Sequence, residues 1–313
     1  MKVLVTGANG FIGRNVKELL NGTPGPDLLH QYGSGARGKG PIEIITTDKE
    51  GDVDVVCDLR DGLKWDPQQD IDVVIHLAAK SGVRSFEDAD HENNVQCTAN
   101  VIRWMTRYDV PMLVYSGSSS VYGNARTMDE SAIPVPQSPY AQSKWACEKL
   151  IKSWVEQENR VGVTLRLFNA IGKYQRRDML PALICEHLKM VAKGDTRGSI
   201  PVYGTRLRAW THVNDIVNGF WSAINTFFYA KWGTYMLFNM GTSNSMTQRD
   251  LISAFEVRSG IDCAIRDLPP HDMDVQRTKA DMGHFSATFG WAPNNRNIEL
   301  GIEDLLKQYG LIT

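Results

Sequence analysis

Val3-Leu4-Val5-Thr6-Gly7-Ala8-Asn9-Gly10-Phe11-Ile12-Gly13 is the stretch that decides the fold class. Its short apolar run reads as a buried parallel strand, and the glycines turn that strand into a helix whose first N–H groups face the turn. Gly7 permits a sharp turn, Gly10 lets the backbone approach a pyrophosphate, and Gly13 allows close packing of helix on strand. Asn9, Phe11 and Ile12 complete the loop, and the helix dipole favours an anion beside it. The spacing is Gly-x2-Gly-x2-Gly, and a dinucleotide is the ligand it points to.

Such a fold should next offer an acid after its second strand, to accept hydrogen bonds from a ribose. Ile42-Glu43-Ile44-Ile45-Thr46-Thr47-Asp48 supplies Asp48, farther from Gly13 than the roughly 20 residues usually seen. The intervening glycine- and proline-rich stretch reads as a loop inserted before that strand. A rival reading makes Leu28 to Tyr32 the second strand, with Arg37 and Lys39 poised for a 2′-phosphate and hence NADP in place of NAD. Further along, Asp58 could bond an adenine amino group or be an ordinary surface acid, with Leu59 beside it. Val73 to Ile75 runs into His76-Leu77-Ala78-Ala79, where the small residues would let a cofactor lie against the backbone and His76 reads as a packed histidine.

Met112 to Tyr115 is another apolar strand and ends in Ser116-Gly117-Ser118-Ser119-Ser120. Ligands sit at strand carboxyl ends in an open parallel sheet, so this serine cluster is well placed. Tyr140-Ala141-Gln142-Ser143-Lys144 then puts a phenol and an ammonium at i and i+4, neighbours on one helix face. A cation there favours phenolate, which makes Tyr140 a candidate acid/base with a lowered pKa.

These segments, with Asn94, Asp58-Leu59-Arg60-Asp61, Leu165-Arg166-Leu167-Phe168-Asn169, Tyr203-Gly204, Arg208, Asp215-Ile216-Val217, Thr278-Lys279-Ala280-Asp281 and Phe289-Gly290-Trp291-Ala292-Pro293, carry a resemblance. The chain resembles the extended short-chain dehydrogenase/reductase family, in its nucleotide-sugar epimerase and dehydratase group. The resemblance implies an α/β fold: a Rossmann-type doubly wound parallel sheet with a smaller mixed substrate-binding lobe. It implies NAD held by Gly7, Asn9, Gly10, Phe11, Ile12, Gly13, Asp48, Asp58, Leu59, Leu77, Ala78, Ala79, Asn94, Tyr140 and Lys144. Tyr140 would transfer the proton, Lys144 would bind the nicotinamide ribose and depress the Tyr140 pKa, and Ser118 would hydrogen-bond the sugar oxygen. Family dehydratases have Thr-Asp-Glu where this chain has Ser118-Ser119-Ser120, so the acid that expels water is missing and reversible oxidation at a sugar carbon is favoured.

The same resemblance places the nucleotide sugar, UDP-linked, against Ser118, Ser119, Asn169, Arg176, Leu180, Tyr203, Arg208 and His271. His271 stands where many hexose epimerases carry a second phosphate-binding arginine, and Arg277 is a further candidate for that role. Gly172-Lys173-Tyr174-Gln175-Arg176-Arg177-Asp178-Met179 is similar to the stretch of UDP-glucuronate 4-epimerases whose arginine meets the sugar carboxylate; Arg176 takes that position, although Asn169 and Arg177 depart from the pattern. The implied reaction is C4 epimerisation through a 4-keto sugar, of UDP-glucuronate/UDP-galacturonate first and of UDP-glucose or UDP-N-acetylglucosamine second. A nucleotide-sugar reductase and a noncatalytic nucleotide sensor are the alternatives.

The bulk composition agrees. The chain has 313 residues, 42% of them apolar, enough for a large core and two lobes. The formal charge of −2 gives no reason to expect nucleic acid or an anionic membrane. No apolar run spans a bilayer, no metal site is expected, and Cys57, Cys97, Cys147, Cys185 and Cys263 read as reduced thiols of a cytoplasmic protein. The expected division is a dinucleotide-binding lobe over 1–169 and a substrate lobe over 170–313, with the chain crossing back near 210–235. Two long helices, near Asn94 to Tyr108 and Tyr140 to Gln157, would pair with their copies in a homodimer, as the resemblance implies.

Overall fold

The computed structural model describes residues 1–21, 42–82, 88–270 and 275–313. Strand β1 (Lys2–Thr6) runs through the glycine turn into α1 (Phe11–Asn21). Next come β2 (Glu43–Asp48), β3 (Val55–Val56), β4 (Val73–His76), α2 (Asp88–Arg107), β5 (Met112–Ser118), α3 (Pro139–Gln157) and β6 (Val161–Leu167). With β10 (Thr234–Met240) these strands form a seven-stranded sheet in the order β10-β6-β5-β4-β1-β2-β3, every neighbouring pair parallel.

Alternation along the strands explains why helices cover both faces. Val3, Val5, Val73, Ile75, Met112 and Val114 point to one side and pack with Val16 of α1 and with Val213 to Ile224 of α5 (Val213–Asn225). Leu4, Val74, Leu113 and Tyr115 point to the other and meet Val101 and Met105 of α2 and Ile151 and Val155 of α3. Burial on both sides is why these strands read as nearly continuous apolar runs.

The chain after Asn169 builds a second core and revisits the first. β7 (Asn169–Ile171), β9 (Arg208–His212) and β11 (Ser245–Met246) make a mixed three-stranded sheet, and β8 (Ile200–Tyr203) pairs with β12 (Ile265–Leu268). Around them α4 (Leu180–Ala192), α6 (Gln248–Ser259) and α8 (Ile298–Gln308) bury Ile184, Leu188, Leu251, Phe255, Ile302 and Leu306. In contrast α5, β10 and α7 (Gly283–Phe289) belong to the large sheet, where Phe220, Phe238, Phe285 and Trp291 pack together. No helix of the described residues is long and apolar enough to cross a membrane.

From β1 the chain goes outward to β2 and β3, then returns to β4 on the other side of β1. The carboxyl ends of β1 and β4 therefore flank the point where strand order reverses, the crevice in which open α/β sheets bind ligands. A buried relay joins those ends: Thr6 Oγ1 lies 2.7 Å from His76 Nδ1, and His76 Nε2 lies 3.1 Å from Thr98 Oγ1 on α2. Burial holds the His76 pKa down at about 3. His76 is thus a neutral, packed histidine.

Two predictions follow from this framework. A Cβ on Gly13 would lie 2.3 Å from the Gly7 carbonyl oxygen, and backbone cannot yield cheaply. Gly13→Ala should cost about 1–3 kcal/mol in urea unfolding; an unchanged midpoint would mean that α1 has freedom to move. For His76 the folded pKa lies below the ordinary 6.5, so only the unfolded chain takes up this proton between those values. The stabilisation is complete above about pH 6.5 and is lost as pH falls toward 3. His76→Asn, which does not titrate, should show a shallower loss of stability over that window than the wild type. Parallel pH profiles would refute the assignment.

Candidate active site

Cofactor-side geometry is set by close approach. Gly7 has φ +70°, and a Cβ there would come within 2.7 Å of the Ala78 backbone nitrogen. The turn after β1 thus lies directly on Leu77-Ala78-Ala79 after β4, with the Leu77 N–H donating to Thr6 O at 3.2 Å and the Ala78 N–H to Thr6 Oγ1 at 3.3 Å. Gly10 N–H closes the turn on Gly7 O at 3.0 Å. Phe11 and Ile12 pack their side chains against the core, which leaves their backbone to face the turn.

Asp48 ends β2 beside β1, as expected of a ribose ligand. Its Oδ2 accepts from the Asn9 N–H at 2.9 Å and its Oδ1 from the Lys49 N–H at 2.8 Å, so it also braces the glycine turn. The rival strand Leu28 to Tyr32, with Arg37 and Lys39, lies outside the described residues. Side-chain-free approach at Gly7 and Gly13, a helix N-terminus and a carboxylate at the second strand end together fit a dinucleotide.

Three residues expected at the cofactor also have partners within the protein. Asp58 caps the short turn Leu59–Asp61 and binds Arg60 through both its backbone N–H, at 2.9 Å, and its guanidinium, at 2.6 Å; this pairing holds the carboxyl below its usual range. Leu59 is buried, and its carbonyl accepts from Asn100 at 2.7 Å. Asn94 accepts from the Lys80 N–H at 2.7 Å and donates to Lys80 O at 3.0 Å and to Ser143 Oγ at 3.1 Å. It ties the loop after β4 to α3.

The residues expected to form the reaction centre lie at the end of β5 and in the first turns of α3. Ser138 caps α3, accepting from the Ala141 N–H at 3.2 Å, and Pro139 presets its first turn, which aims Tyr140 back over the strand ends. Ser118 stands beside Tyr140, its Oγ 2.9 Å from Ser120 Oγ, while the buried Ser119 begins the short turn Ser119–Tyr122. Lys144 Nζ donates to Ser116 O at 2.9 Å, 4.9 Å from the Tyr115 ring centroid and 6.0 Å from that of Tyr140.

These contacts correct one expectation. The Tyr140 pKa is raised, not lowered: burial favours the neutral phenol, and the Ser118 hydrogen bond and the Arg176 charge only partly oppose it. Lys144 spends its ammonium on the Ser116 carbonyl, and burial brings its own pKa down to about 8. His91 of α2 completes the surroundings, its ring centroid 5.7 Å from that of Tyr140. It carried no motif, and only the packing of α2 on α3 brings it there.

Among the residues expected at the substrate, Arg176 reaches the crevice from the loop after β7. Its Nη1 donates to Ser81 O at 3.1 Å and to Ser81 Oγ, its Nε to Asp178 Oδ1 at 2.9 Å, and its Nη2 to Asp178 Oδ2. Neither Ser81 nor Asp178 was singled out from the sequence, although Asp178 stands two residues from Arg176. Asn169 opens β7, and Leu180 opens α4 with its side chain on the small-lobe core. Tyr203 ends β8, its N–H donating to Gln248 Oε1 at 2.7 Å; Arg208 opens β9, donating to Leu207 O at 2.9 Å. Arg277 lies at a bridge with Leu207, and His271 is outside the described residues. A cavity of about 640 Å³ opens beside the glycine turn, lined in part by Asn9, Gly10, Phe11, Arg14 and Arg176.

Comparison with known proteins agrees with this geometry. Residues 3–233 match the NAD dependent epimerase/dehydratase family. An uncharacterized Methanocaldococcus jannaschii protein is 28% identical over 98% of this chain and 94% of its own length. UDP-glucose 4-epimerase of Drosophila melanogaster is 27% identical over 96% of this chain and 94% of its own. The solved structure of MoeE5 in complex with UDP-glucuronic acid and NAD superposes with a TM-score of 0.78 at 25% identity, covering 98% of this chain and 100% of that one. With its doubly wound sheet, its glycine turn and the Tyr140–Lys144 pair at the strand ends, the chain belongs to the NAD-dependent epimerase/dehydratase family and is an NAD-dependent enzyme of that family.

Proposed function

We propose that the enzyme inverts C4 of a UDP-linked sugar through a transient 4-keto intermediate. The observation that carries this reading is the Ser118–Tyr140–Lys144 cluster at the switch-point edge of the sheet, beside a turn suited to a dinucleotide. The end of β5 and the first turn of α3 bring Ser118 beside Tyr140 on one side of the crevice, which suits a hydroxyl that must lose its proton and later regain it. NAD held at the glycine turn and Asp48 would supply the hydride-transfer chemistry.

The protein's own part is positioning and proton transfer. With its pKa raised, Tyr140 carries its proton at neutral pH and is ready to donate it to a keto oxygen. Acting as a base requires further positive charge near the phenol. Arg176 already opposes the effect of burial, and Lys144 Nζ lies on the same helix face. Asp48 would hold the ribose hydroxyls and disfavour a 2′-phosphate.

For the sugar, UDP-glucuronate/UDP-galacturonate is the first reading, because the Arg176 charge reaches Tyr140. UDP-glucose or UDP-N-acetylglucosamine is the second, favoured by Asp178, which already pairs with that guanidinium and would have to yield to a sugar carboxylate. A homodimer formed by α2 and α3 of two copies belongs to the same proposal.

Incubating the protein with single UDP-sugars and no added cofactor, then recording NMR of the anomeric signals, tests this reading; formation of the C4 epimer is expected. Tyr140→Phe should retain NAD and lose about 10²-fold or more in rate; near-normal turnover removes Tyr140 from the mechanism. Arg176→Ala should lower activity on UDP-glucuronate by about 10- to 100-fold more than on a neutral UDP-hexose. Equal losses on both would assign Arg176 to the fold or the diphosphate, and no wild-type turnover of either uronate would leave the neutral sugars.

A further inference from the structure

The cavity of about 640 Å³ beside the glycine turn has walls that the proposed reaction does not use. It opens between the start of α1 and the C-terminal half of α4, closed on a third side by Gln308 and Tyr309 at the end of α8. Asn9, Gly10, Phe11 and Arg176 are shared with the crevice. Asp48, Ala78, Ser118 and Tyr140 do not line it, and neither do Asn169, Leu180, Tyr203 and Arg208. The cavity therefore adjoins the residues expected at the cofactor and the sugar nucleotide without being formed by them.

Its walls are strongly cationic. Among the described residues five cations face one carboxylate, Glu186. Arg177 already stands 3.9 Å from Glu186, and Arg176 is committed to Ser81 and Asp178. Arg14 donates to Asn9 O at 2.9 Å and lies 5.7 Å from the Tyr174 ring centroid, while Lys189 lies 5.9 Å from that of Tyr309; none of these contacts is with an acid. The helix dipole explains Lys189 and Lys193 at the C-terminal end of α4. It does not explain Arg14, which stands in the first turn of α1, where a cation opposes the dipole and an anion is favoured.

Gln175 adds a polar group of another kind. Its side chain lines the cavity and is 7% exposed, and its Oε1 is buried without a hydrogen-bond partner. Such a group costs stability in the protein alone and is met when a ligand brings the missing donor. A half-turn of the terminal amide exchanges its oxygen and nitrogen, so either end can be offered to a hydroxyl. A volume of this size suits a small organic molecule better than a single inorganic ion. The aromatic faces that would stack a base carry cations instead, Tyr174 under Arg14 and Tyr309 under Lys189.

We propose that this cavity is a separate binding site for a sugar phosphate, with the phosphate held among Arg14, Lys189 and Lys193 and a sugar hydroxyl on Gln175. The inference goes beyond the C4 reaction and does not need it. A ligand held there touches α1 and α4 at once and fastens the glycine turn to the small-lobe helix.

Calorimetric titration of glucose 1-phosphate into protein saturated with NAD and UDP tests the site, because the ligands of the crevice are then already in place. Binding is expected, together with a rise in thermal midpoint. Lys189→Gln/Lys193→Gln should weaken that binding about tenfold or more. Gln175→Met keeps the side-chain volume and should weaken glucose 1-phosphate about fivefold or more while leaving inorganic phosphate as in the wild type; should this variant fail to fold, the lysine pair, which lies outside the core, still decides. No binding to the saturated protein would overturn the proposal, since the cavity would then belong to NAD or UDP, and so would binding indifferent to the lysine pair. UMP binding more tightly than glucose 1-phosphate, or an equal effect of Gln175→Met on both anions, would overturn the assignment to a sugar phosphate.

Discussion

All seven strands of the large sheet are parallel, so all of them end on one edge, and the site depends on that constraint. Backbone groups at strand ends have no further ladder partner, and the helices that follow begin there with unpaired N–H groups. The edge therefore collects the glycine turn after β1, Asp48 after β2, the small residues after β4 and the serines after β5 without a long loop for any of them. Strand order reverses beside β1, and the crevice opens where the glycine turn lies on Ala78. His76, bonded to Thr6 on β1 and Thr98 on α2, locks those two strand ends in register under the site.

The buried charges beside that edge set its chemistry. Tyr140 and Lys144 are shifted by burial in opposite directions, the phenol toward retaining its proton and the ammonium toward losing it. In the protein alone the pair is thus a hydrogen-bond donor backed by a cation held on the Ser116 carbonyl. Arg176, which meets Ser81 and Asp178, adds positive charge from the small lobe and connects the two halves of the crevice. The site's electrostatics are therefore shared between lobes, although the proposed acid/base residue stands on one helix.

Most of the framework was legible in the sequence because it rests on local signals. Val3 to Gly13 encodes a strand, a turn and a helix in eleven residues, and Tyr140-x3-Lys144 is a helix-face pattern. Asp48 was legible despite the long insertion because β2 is itself an apolar run. What the sequence left open depends on distant partners. Asn94 has its amide engaged by Lys80 and by Ser143 of another helix, a commitment not visible in composition or spacing. The lowered Tyr140 pKa expected from Lys144 failed for the same reason: i and i+4 spacing fixes which face a side chain shares, whereas burial and the Ser116 carbonyl decide what its charge does.

The central claim of the proposed function is that a hydride would leave C4 and return to it inside one closed site, with Tyr140 exchanging only the hydroxyl proton. Turnover of a UDP-sugar carrying deuterium at C4, in ordinary water and with unlabelled NADH in the medium, follows that hydride directly. The account predicts an epimer that keeps its deuterium at C4 while the NADH pool stays unlabelled. Loss of the label to water, or its appearance in the external cofactor, would contradict it.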